Sequence, residues 1–260
     1  MSRKSIFITG AGSGIGQATA RLFAQRGWRV GLADVSEAGL AATLPTLAGE
    51  GHQTYRMDVR DREAWAAALD GFTGGGGLDV LFNNAGIGSG GPLAETDFAE
   101  IDRVVAINLG GVLNGARIGH AYLKRASGCL LNTASASAIY GSAGLAPYSA
   151  TKFGVRGLTE ALDGEWHDDG IRVRAIIPGF IDTPLLSGPV GGSNRSIRET
   201  VTERGLELTG VEAVAEAAWA AVHGKAVHTY IGPTAKRMAF AARWMPGRLR
   251  KMMRRGMSAD

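Results

Sequence analysis

Short apolar runs alternate along this chain with longer segments in which apolar residues recur at helical spacing. The runs lie at residues 6–8, 30–33, 53–57, 80–82, 129–131, 173–177 and 227–231. The helical segments between them include residues 15–26, 62–72, 98–124, 150–168 and 211–223. Alternation of strand and helix predicts a parallel sheet with helices on both faces, and strands this short and apolar suit burial on both sides. We therefore predict a doubly wound α/β fold.

A single domain accounts for the 260 residues, because α/β domains reach about 200–250 residues and no repeat or linker interrupts the pattern. We predict a main domain at residues 1–232, which includes a substrate lid at about 184–210 with helix-like residues 195–208. We expect residues 233–260 to form a basic, amphipathic helical extension of the same domain.

The composition excludes several classes of protein. Cys129 is the only cysteine, which excludes an internal disulfide and a cysteine-rich metal cluster, and we predict no metal site. No apolar run reaches the ~18 residues of a spanning helix, and residues 1–4 do not resemble a secretory signal. We expect a soluble, cytoplasmic protein.

The formal net charge of +4 is unevenly distributed. Residues 1–216 contain 19 Lys and Arg against 23 Asp and Glu, whereas residues 217–260 contain nine against one. Because only the tail is basic, we expect no nucleic-acid partner.

Residues 6–16 combine a strand, a glycine-rich turn and the start of a helix. Glycines in such a turn let the backbone approach a pyrophosphate, whose charge then lies on the first amides of the helix. With 39 glycines in 260 residues, the spacing of Gly10, Gly14 and Gly16 is expected about once by chance. It recurs at residues 71–77 without a preceding strand, where we predict a plain loop. The strand before the first copy and the helix after it favour a dinucleotide site there.

Asp34 ends the second run, 18 residues beyond Gly16. An acid at this point accepts both hydroxyls of an adenosine ribose and repels a 2′-phosphate. Residues 35–40 contain no Lys or Arg to neutralise that phosphate, so NAD is favoured over NADP. Capping of a helix is the alternative role of Asp34. Asp58 follows the third run in the same way, and its alternatives are adenine binding and a plain turn.

Tyr148 and Lys152 are four residues apart in a helical segment and share one face of the helix. Such a pair is expected about 0.1 times by chance in this composition. A lysine cation at ~5 Å stabilises a phenolate by roughly 3 kcal/mol at an effective dielectric of ~20, so we expect the pKa of Tyr148 to fall by about two units. The phenol would then exchange a proton with an alcohol or carbonyl oxygen. The alternative is a surface tyrosine beside a solvated lysine.

More polar residues lie where apolar runs end. Ser135 follows the fifth run, and its hydroxyl would hold a substrate oxygen beside the phenol, although six Ser and Thr lie between residues 133 and 151. Asn-Asn-Ala-Gly at 83–86 follows the fourth run, and Pro-Gly at 178–179 ends the sixth. Ligands of open α/β sheets bind beyond the carboxyl ends of the strands, which is where all these motifs fall.

Together with Asn108, these motifs resemble the short-chain dehydrogenase/reductase family in order and spacing over residues 4–232. The matching segments are residues 9–16 (TGAGSGIG), 83–86 (NNAG), Asn108, Ser135, 148–152 (YSATK) and 178–179 (PG). The resemblance implies a Rossmann-type sheet of about seven strands and hydride transfer at nicotinamide between a secondary alcohol and a ketone. It also implies a homodimer or a homotetramer.

The resemblance assigns roles to individual residues. Tyr148 would be the general acid/base, Lys152 would bind the nicotinamide ribose and lower the tyrosine pKa, and Ser135 would polarise the substrate oxygen. Asn108 would support a water-mediated proton relay, and Thr183 would hold the carboxamide. The implied cofactor site comprises Gly10, Ser13, Gly14, Ile15, Gly16, Asp34, Asp58, Val59, Asn84, Ala85, Gly86, Tyr148, Lys152, Pro178, Gly179, Ile181 and Thr183.

Two other functions compete with this hypothesis. A catalytically silent, dinucleotide-binding regulator or scaffold would have no need of Tyr148 paired with Lys152. An epimerase or dehydratase acting on nucleotide sugars normally has a separate C-terminal substrate domain, and the 27 residues after Pro233 are too few to form one.

The tail departs from the family pattern because it continues well beyond the last run. Its Met and Leu residues fall near one helical face and its Lys and Arg residues on another, and Pro246 should divide it into two helices. We expect the apolar face to pack on the body or on a partner subunit. The alternative is weak docking to an anionic membrane surface.

The substrate pocket is expected to be apolar. We predict that Ile139, Tyr140, Leu145, Leu185 and Leu186 lie near it, which favours a bulky or hydrophobic alcohol or ketone.

Overall fold

The computed structural model describes residues 3–187, 196–203 and 205–254. Its strands are β1 (Ser5–Thr9), β2 (Arg29–Asp34), β3 (Gln53–Arg56), β4 (Val80–Asn83), β5 (Cys129–Thr133), β6 (Arg172–Pro178) and β7 (His228–Ile231). Its α-helices are α1 (Gly14–Gln25), α2 (Glu37–Thr43), α3 (Arg62–Thr73), α4 (Phe98–Val105), α5 (Gly111–Ala126), α6 (Ala146–Glu165), α7 (Ile197–Glu203), α8 (Val211–His223), α9 (Gly232–Trp244) and α10 (Pro246–Met253).

The seven described strands form one parallel sheet in the order β3-β2-β1-β4-β5-β6-β7. Strand β1 pairs with β2 on one side and with β4 on the other, so that Ile6 lies between Val30 and Val80. The chain changes direction across the sheet at this point, and the crevice beyond the ends of β1 and β4 is the usual ligand site of such sheets. The predicted Rossmann-type sheet is confirmed.

Side chains of β1 alternate between two hydrophobic cores. Ile6 and Ile8 pack in the same core as Phe23 of α1, whereas Phe7 packs on the opposite face with Trp65 of α3. Period-two alternation between two apolar faces is what a strand covered by helices on both sides requires.

The edge strand β3 is an exception to the predicted burial. Gln53, Thr54 and Arg56 are exposed, so the prediction of burial on both sides is wrong for these three residues, whereas Met57 is buried and Tyr55 packs against the core. Strand β3 pairs only with β2, and at the edge of the sheet its polar side chains remain in water.

The segment predicted as one helix at residues 98–124 is divided. A π-helical stretch at Ala106–Gly110 separates α4 from α5. Such stretches are rare and occur frequently at functional sites.

The C-terminal residues form α9 and α10, which meet at Met245 immediately before Pro246. Ala235, Met238 and Leu249 are buried in a core that they share with Ile177 of β6. The described part of the tail therefore packs on the body of the chain, and docking to a membrane surface stays a prediction. Among the described residues, no helix is long and apolar enough to cross a membrane.

Candidate active site

The carboxyl ends of β1 to β6 open into one continuous cavity of about 1610 Å³. Ligand pockets usually measure about 300–1,000 Å³, so this cavity has room for a dinucleotide and a second molecule. All the predicted site residues line it except Gly16 and Asn108. Those two residues lie behind its wall.

The glycine-rich turn brings the backbone of β1 against the loop after β4. A Cβ atom added at Gly16 would lie 2.1 Å from the carbonyl oxygen of Gly10, and one added at Gly10 would lie 2.9 Å from Cα of Ala85. Gly10 also has a φ of +66°, a conformation that glycine adopts without strain. Both positions therefore require glycine.

Helix α1 begins directly after this turn with open amides. Ser13 is its N-cap residue, but the Ser13 side chain accepts no capping hydrogen bond, and the first turn of α1 contains no acidic residue. A helix N-terminus whose amides lack side-chain acceptors suits a bound anion. The turn and the helix thus fit the pyrophosphate of a dinucleotide.

Hydrogen bonds between Thr9 and Asn84 hold three strand ends together. Oγ1 of Thr9 accepts from the amides of Asn84 and Ala85 at 3.0 and 3.1 Å, and Nδ2 of Asn84 donates to the carbonyl of Thr9 at 3.0 Å. Thr133 at the end of β5 donates to Oδ1 of Asn84 at 3.2 Å. Thr9 is thus a structural residue of the site that was not predicted, although it lies directly between a buried strand and the glycine turn.

The Asp34 carboxylate is held by backbone amides. Oδ2 accepts from the Gly12 amide and Oδ1 from the Ser36 amide, both at 2.9 Å. The cap of α2 is Ser36, whose Oγ accepts from Gly39, so Asp34 is not a helix cap. Each carboxylate oxygen keeps a further lone pair for a ligand hydroxyl.

The Asp58 side chain forms a turn at the end of β3. Oδ1 accepts from the Arg60 amide at 2.9 Å, and the Arg60 guanidinium pairs with Oδ2 at 2.5 Å. The hydrogen bond from Arg60 lowers the pKa of Asp58 below its usual value. Asp58 is therefore a turn residue that also lines the cavity. Arg60, which pairs with Asp58 and lines the cavity too, was not predicted as a site residue.

Tyr148 lies on α6, and its phenol is near enough to Ser135 for that side chain to influence the pKa of the phenol. Burial of the hydroxyl raises the pKa of Tyr148, and the hydrogen bond with Ser135 acts in the opposite direction. The prediction that Lys152 moves this pKa toward physiological pH is wrong for this structure. Nζ of Lys152 lies 5.7 Å from the centre of the tyrosine ring and donates instead to the carbonyl of Thr133 at 2.9 Å.

Ser135 is fixed by the short helical turn that follows β5. Its Oγ accepts from the Ser137 amide at 3.1 Å while its backbone is extended. Among the described Ser and Thr residues between 133 and 151, Ser135 is the one whose side chain influences the pKa of the Tyr148 phenol. The fold therefore distinguishes Ser135 from the other five Ser and Thr residues of this segment, which the composition could not do.

Lys152 is itself strongly perturbed, because it is only 4% exposed. Burial lowers the pKa of Lys152 to about 8 from its ordinary value of 10.5. The folded protein thus contains a lysine that changes charge near physiological pH.

This lysine makes stability depend on pH. Between about pH 8 and 10.5 the proton is bound only in the unfolded chain, so the destabilisation caused by burying the cation disappears as pH rises. From pH 7 to pH 9 we expect the free energy of unfolding of the wild type, relative to that of Lys152→Met, to rise by about 1 kcal/mol. Denaturant titrations at both pH values measure the free energies of unfolding of the two proteins. The contributions of the other titratable groups cancel in the difference between them. If the free energies of unfolding of the two proteins changed equally between pH 7 and pH 9, the lowered pKa of Lys152 would be refuted.

Asn108 lies in the π-helical stretch and is completely buried. Its Oδ1 accepts from the amide of Ile87 and its Nδ2 donates to the carbonyl of Ile87, both at 2.8 Å. The side chain therefore positions the loop after β4. A Cβ at Gly86 would lie 3.2 Å from Oδ1 of Asn108 and 3.6 Å from Nζ of Lys152, which places the three residues together.

Thr183 lies against the glycine turn, with its Cγ2 3.1 Å from the Cβ position of Gly14. The predicted lid at 184–210 is attached at its ends, because the backbones of Phe180 and Asp182 bond to that of Thr209 at 2.9 and 3.0 Å. Helix α7 lies within this segment, and residues 188–195 and 204 lie outside the described residues.

The apolar residues predicted near the pocket divide into two groups. Tyr140, Leu145, Leu185 and Leu186 line the cavity. Ile139 is buried in the core beneath the tail instead, so its placement at the pocket is corrected.

Comparison with known proteins identifies the family of this chain. The family model described as short chain dehydrogenase matches residues 4–189. The chain is 41% identical over 186 residues to a cis-4-hydroxycyclohexanecarboxylate dehydrogenase of Sinomonas cyclohexanicum, an alignment that covers 70% of this chain and 74% of that protein. It is 40% identical over 188 residues to a levodione reductase of Leifsonia aquatica, with 70% of each chain covered. A crystal structure of a short-chain dehydrogenase/reductase from Burkholderia phymatum, in complex with NAD, is similar with a TM-score of 0.82 at 26% identity, covering 100% of this chain and 98% of that one.

Proposed function

This chain belongs to the short-chain dehydrogenase/reductase family, and on that premise we propose that it interconverts a secondary alcohol and a ketone with NAD, using Tyr148 as general acid/base. As a member it is an oxidoreductase of CH–OH groups that uses a nicotinamide dinucleotide. The observation that carries the finer proposal is the convergence of Ser135, Tyr148 and Lys152 in one cavity with the glycine turn and Asp34.

NAD is proposed over NADP because of the charge at the end of β2. The Asp34 carboxylate lines the cavity beside the glycine turn, where it would accept ribose hydroxyls and repel a 2′-phosphate. Arg60 also lines the cavity, but its guanidinium is paired with Asp58.

We expect Asp34→Asn to shift the preference toward NADP. The amide keeps an oxygen for the Gly12 amide and removes the negative charge, so the ratio of kcat/KM with NAD to kcat/KM with NADP should fall about tenfold. Glu95→Gln is the matched control, since Glu95 is an exposed acid that does not line the cavity, and its replacement should leave the ratio unchanged. An unchanged ratio in Asp34→Asn would refute the role of Asp34.

The proposed proton chemistry follows from the Tyr148 environment. When bound, the nicotinamide ring of NAD supplies the hydride acceptor or donor. Because its pKa is raised, Tyr148 is a neutral phenol near pH 7 and suited to protonating a ketone oxygen. In alcohol oxidation the phenolate must form first, so Ser135, whose hydrogen bond lowers this pKa, assists in that direction. The same serine hydroxyl would hold the substrate oxygen beside the phenol.

Lys152 contributes charge and position. Its anchoring to Thr133 at the end of β5 orients the ammonium group in the cavity wall, where it would hold a ribose hydroxyl of the cofactor.

The substrate is proposed to be bulky or hydrophobic, in agreement with the cavity wall that Tyr140, Leu145, Leu185 and Leu186 form. The names of two relatives point to cyclic substrates, a hydroxycyclohexanecarboxylate and levodione.

Exposed apolar side chains, among them Phe98 of α4 and Phe153 of α6, support a homo-oligomer as part of the proposal.

The test is the appearance of NADH when purified protein is mixed with NAD and secondary alcohols from cyclohexanol size to steroid size. Turnover with one or more of these alcohols supports the proposal. Tight NADH binding without turnover of any alcohol would favour the silent dinucleotide-binding regulator instead.

A further inference from the structure

Helices α9 and α10 form one wall of the catalytic cavity. Met238, Ala241, Met245, Leu249, Met252 and Met253 line it from the tail. Ala235, Met238 and Leu249 anchor these helices in the core, and the Ala143 amide donates to the carbonyl of Met253 at 3.4 Å. The loop that precedes Tyr148 is thus bound to the end of the tail. Methionine side chains are flexible and polarisable, so this wall adapts to apolar bodies of different shape.

Cations border the same wall. Lys236, Arg237 and Arg248 line the cavity and are exposed. Within the described part of the chain, no ion pair and no side-chain hydrogen bond engages any of the three. They are therefore available to a ligand.

The carboxylates of the cavity are too distant to neutralise these cations. Among the described lining residues the acids are Asp34 and Asp58, at the ends of β2 and β3. Helix α9 follows β7, which is five strands from β2, a separation of about 24 Å at the usual strand spacing. Charges this far apart are screened, because the Debye length is about 8 Å at physiological ionic strength. The cavity is therefore positive at the end near the tail.

The catalytic pair lies next to this positive, methionine-lined end. Ser135 follows β5 and the tail follows β7, two strands away, whereas the ribose-binding Asp34 is on the opposite side of the glycine turn. A molecule whose oxygen contacts Ser135 and Tyr148 would extend toward the tail.

Building on the proposed function, we propose that α9 and α10 select a secondary alcohol or ketone whose apolar body carries an anionic group. The methionine-lined wall binds the body, and Lys236, Arg237 and Arg248 bind the anion. Both carboxylate and phosphate have the required chemistry.

The experiment compares three ketones that share one aromatic body: 4-acetylbenzoate, 4-acetylphenyl phosphate and the neutral methyl 4-acetylbenzoate. Their dissociation constants are measured on the full chain saturated with NAD, which has no hydride to donate to a ketone, so that binding is measured without turnover. We expect one or both anions to bind about tenfold more tightly than the ester, and the stronger anion identifies the group recognised. Added salt should weaken only the anions.

The matched variants each remove three tail charges. Lys236→Gln/Arg237→Gln/Arg248→Gln should abolish the preference for the anion. The control Arg243→Gln/Arg250→Gln/Lys251→Gln changes exposed residues of the same two helices that do not line the cavity, and it should keep the preference. If both variants lost the preference for the anion equally, the preference would reflect attraction to the basic tail as a whole, and the proposal would be overturned.

A wild type without preference for either anion, whether the ester binds equally or no ketone binds, would also overturn it. Failure of the proposed function would be recognised separately, by absence of alcohol turnover in the NAD assay. Anion preference is a binding measurement and does not depend on that outcome.

Discussion

Tyr148→Phe is expected to lower kcat about a thousandfold while NADH still binds. Proton transfer by a positioned side chain typically contributes 10²- to 10⁴-fold to the rate, and phenylalanine removes the transferable proton. The ring itself, which forms part of the cavity wall, is preserved. Steady-state kinetics and NADH titration measure the two parts of this result.

Tyr140→Phe is the matched control, because Tyr140 lines the same cavity and lies outside the proposed catalytic set. It should retain turnover within a few-fold of the wild type. If Tyr148→Phe were equally active, the phenol would not be the acid/base. If its NADH affinity fell in parallel with kcat, the defect would lie in cofactor binding instead.

Gly16→Ala is expected to disrupt the nucleotide end of the cavity. The new methyl group would lie 2.1 Å from the carbonyl oxygen of Gly10, so the backbone of the turn must move. Overpacking of this kind costs about 1–3 kcal/mol of stability, and we expect NADH affinity to fall at least about tenfold as the turn is displaced. Denaturant unfolding and NADH titration measure both effects.

Gly157→Ala provides the comparison within a helix. Nothing lies within 4 Å of a Cβ atom at Gly157 in α6, so alanine should leave NADH affinity unchanged and stabilise the protein by up to about 1 kcal/mol. Normal NADH affinity in Gly16→Ala would show that the turn tolerates displacement, contrary to the close approach described above.

Much of this architecture was predictable because local patterns determine it. Apolar runs and helical segments fixed the order of the strands along the chain, and motifs at strand ends meet in a parallel sheet because all carboxyl ends lie at one edge. The position of Asp34 in the site was predictable for the same reason, because Asp34 ends β2. Its alternative as a helix cap was excluded only by the hydrogen bonds of Ser36.

The remaining features depend on contacts between distant segments. Burial of the Tyr148 hydroxyl outweighs the expected influence of Lys152 on its pKa, and burial is not visible in a four-residue spacing. The side chain of Asn108 is engaged by Ile87, a residue 21 positions away. That the apolar face of the tail lines the cavity depends on how α9 turns back across the end of β7, which no periodicity predicts.

The most direct test of the central claim is transfer of the carbinol hydrogen to NAD. An alcohol from the panel that is turned over is prepared with deuterium on its carbinol carbon, and the NADH formed is analysed by mass spectrometry. We predict one deuterium per molecule of NADH with the wild type, and at least a hundredfold less labelled NADH with Tyr148→Phe. NADH formed without deuterium, or no NADH with any alcohol despite tight cofactor binding, would contradict the assignment of this chain as an NAD-dependent alcohol/ketone oxidoreductase.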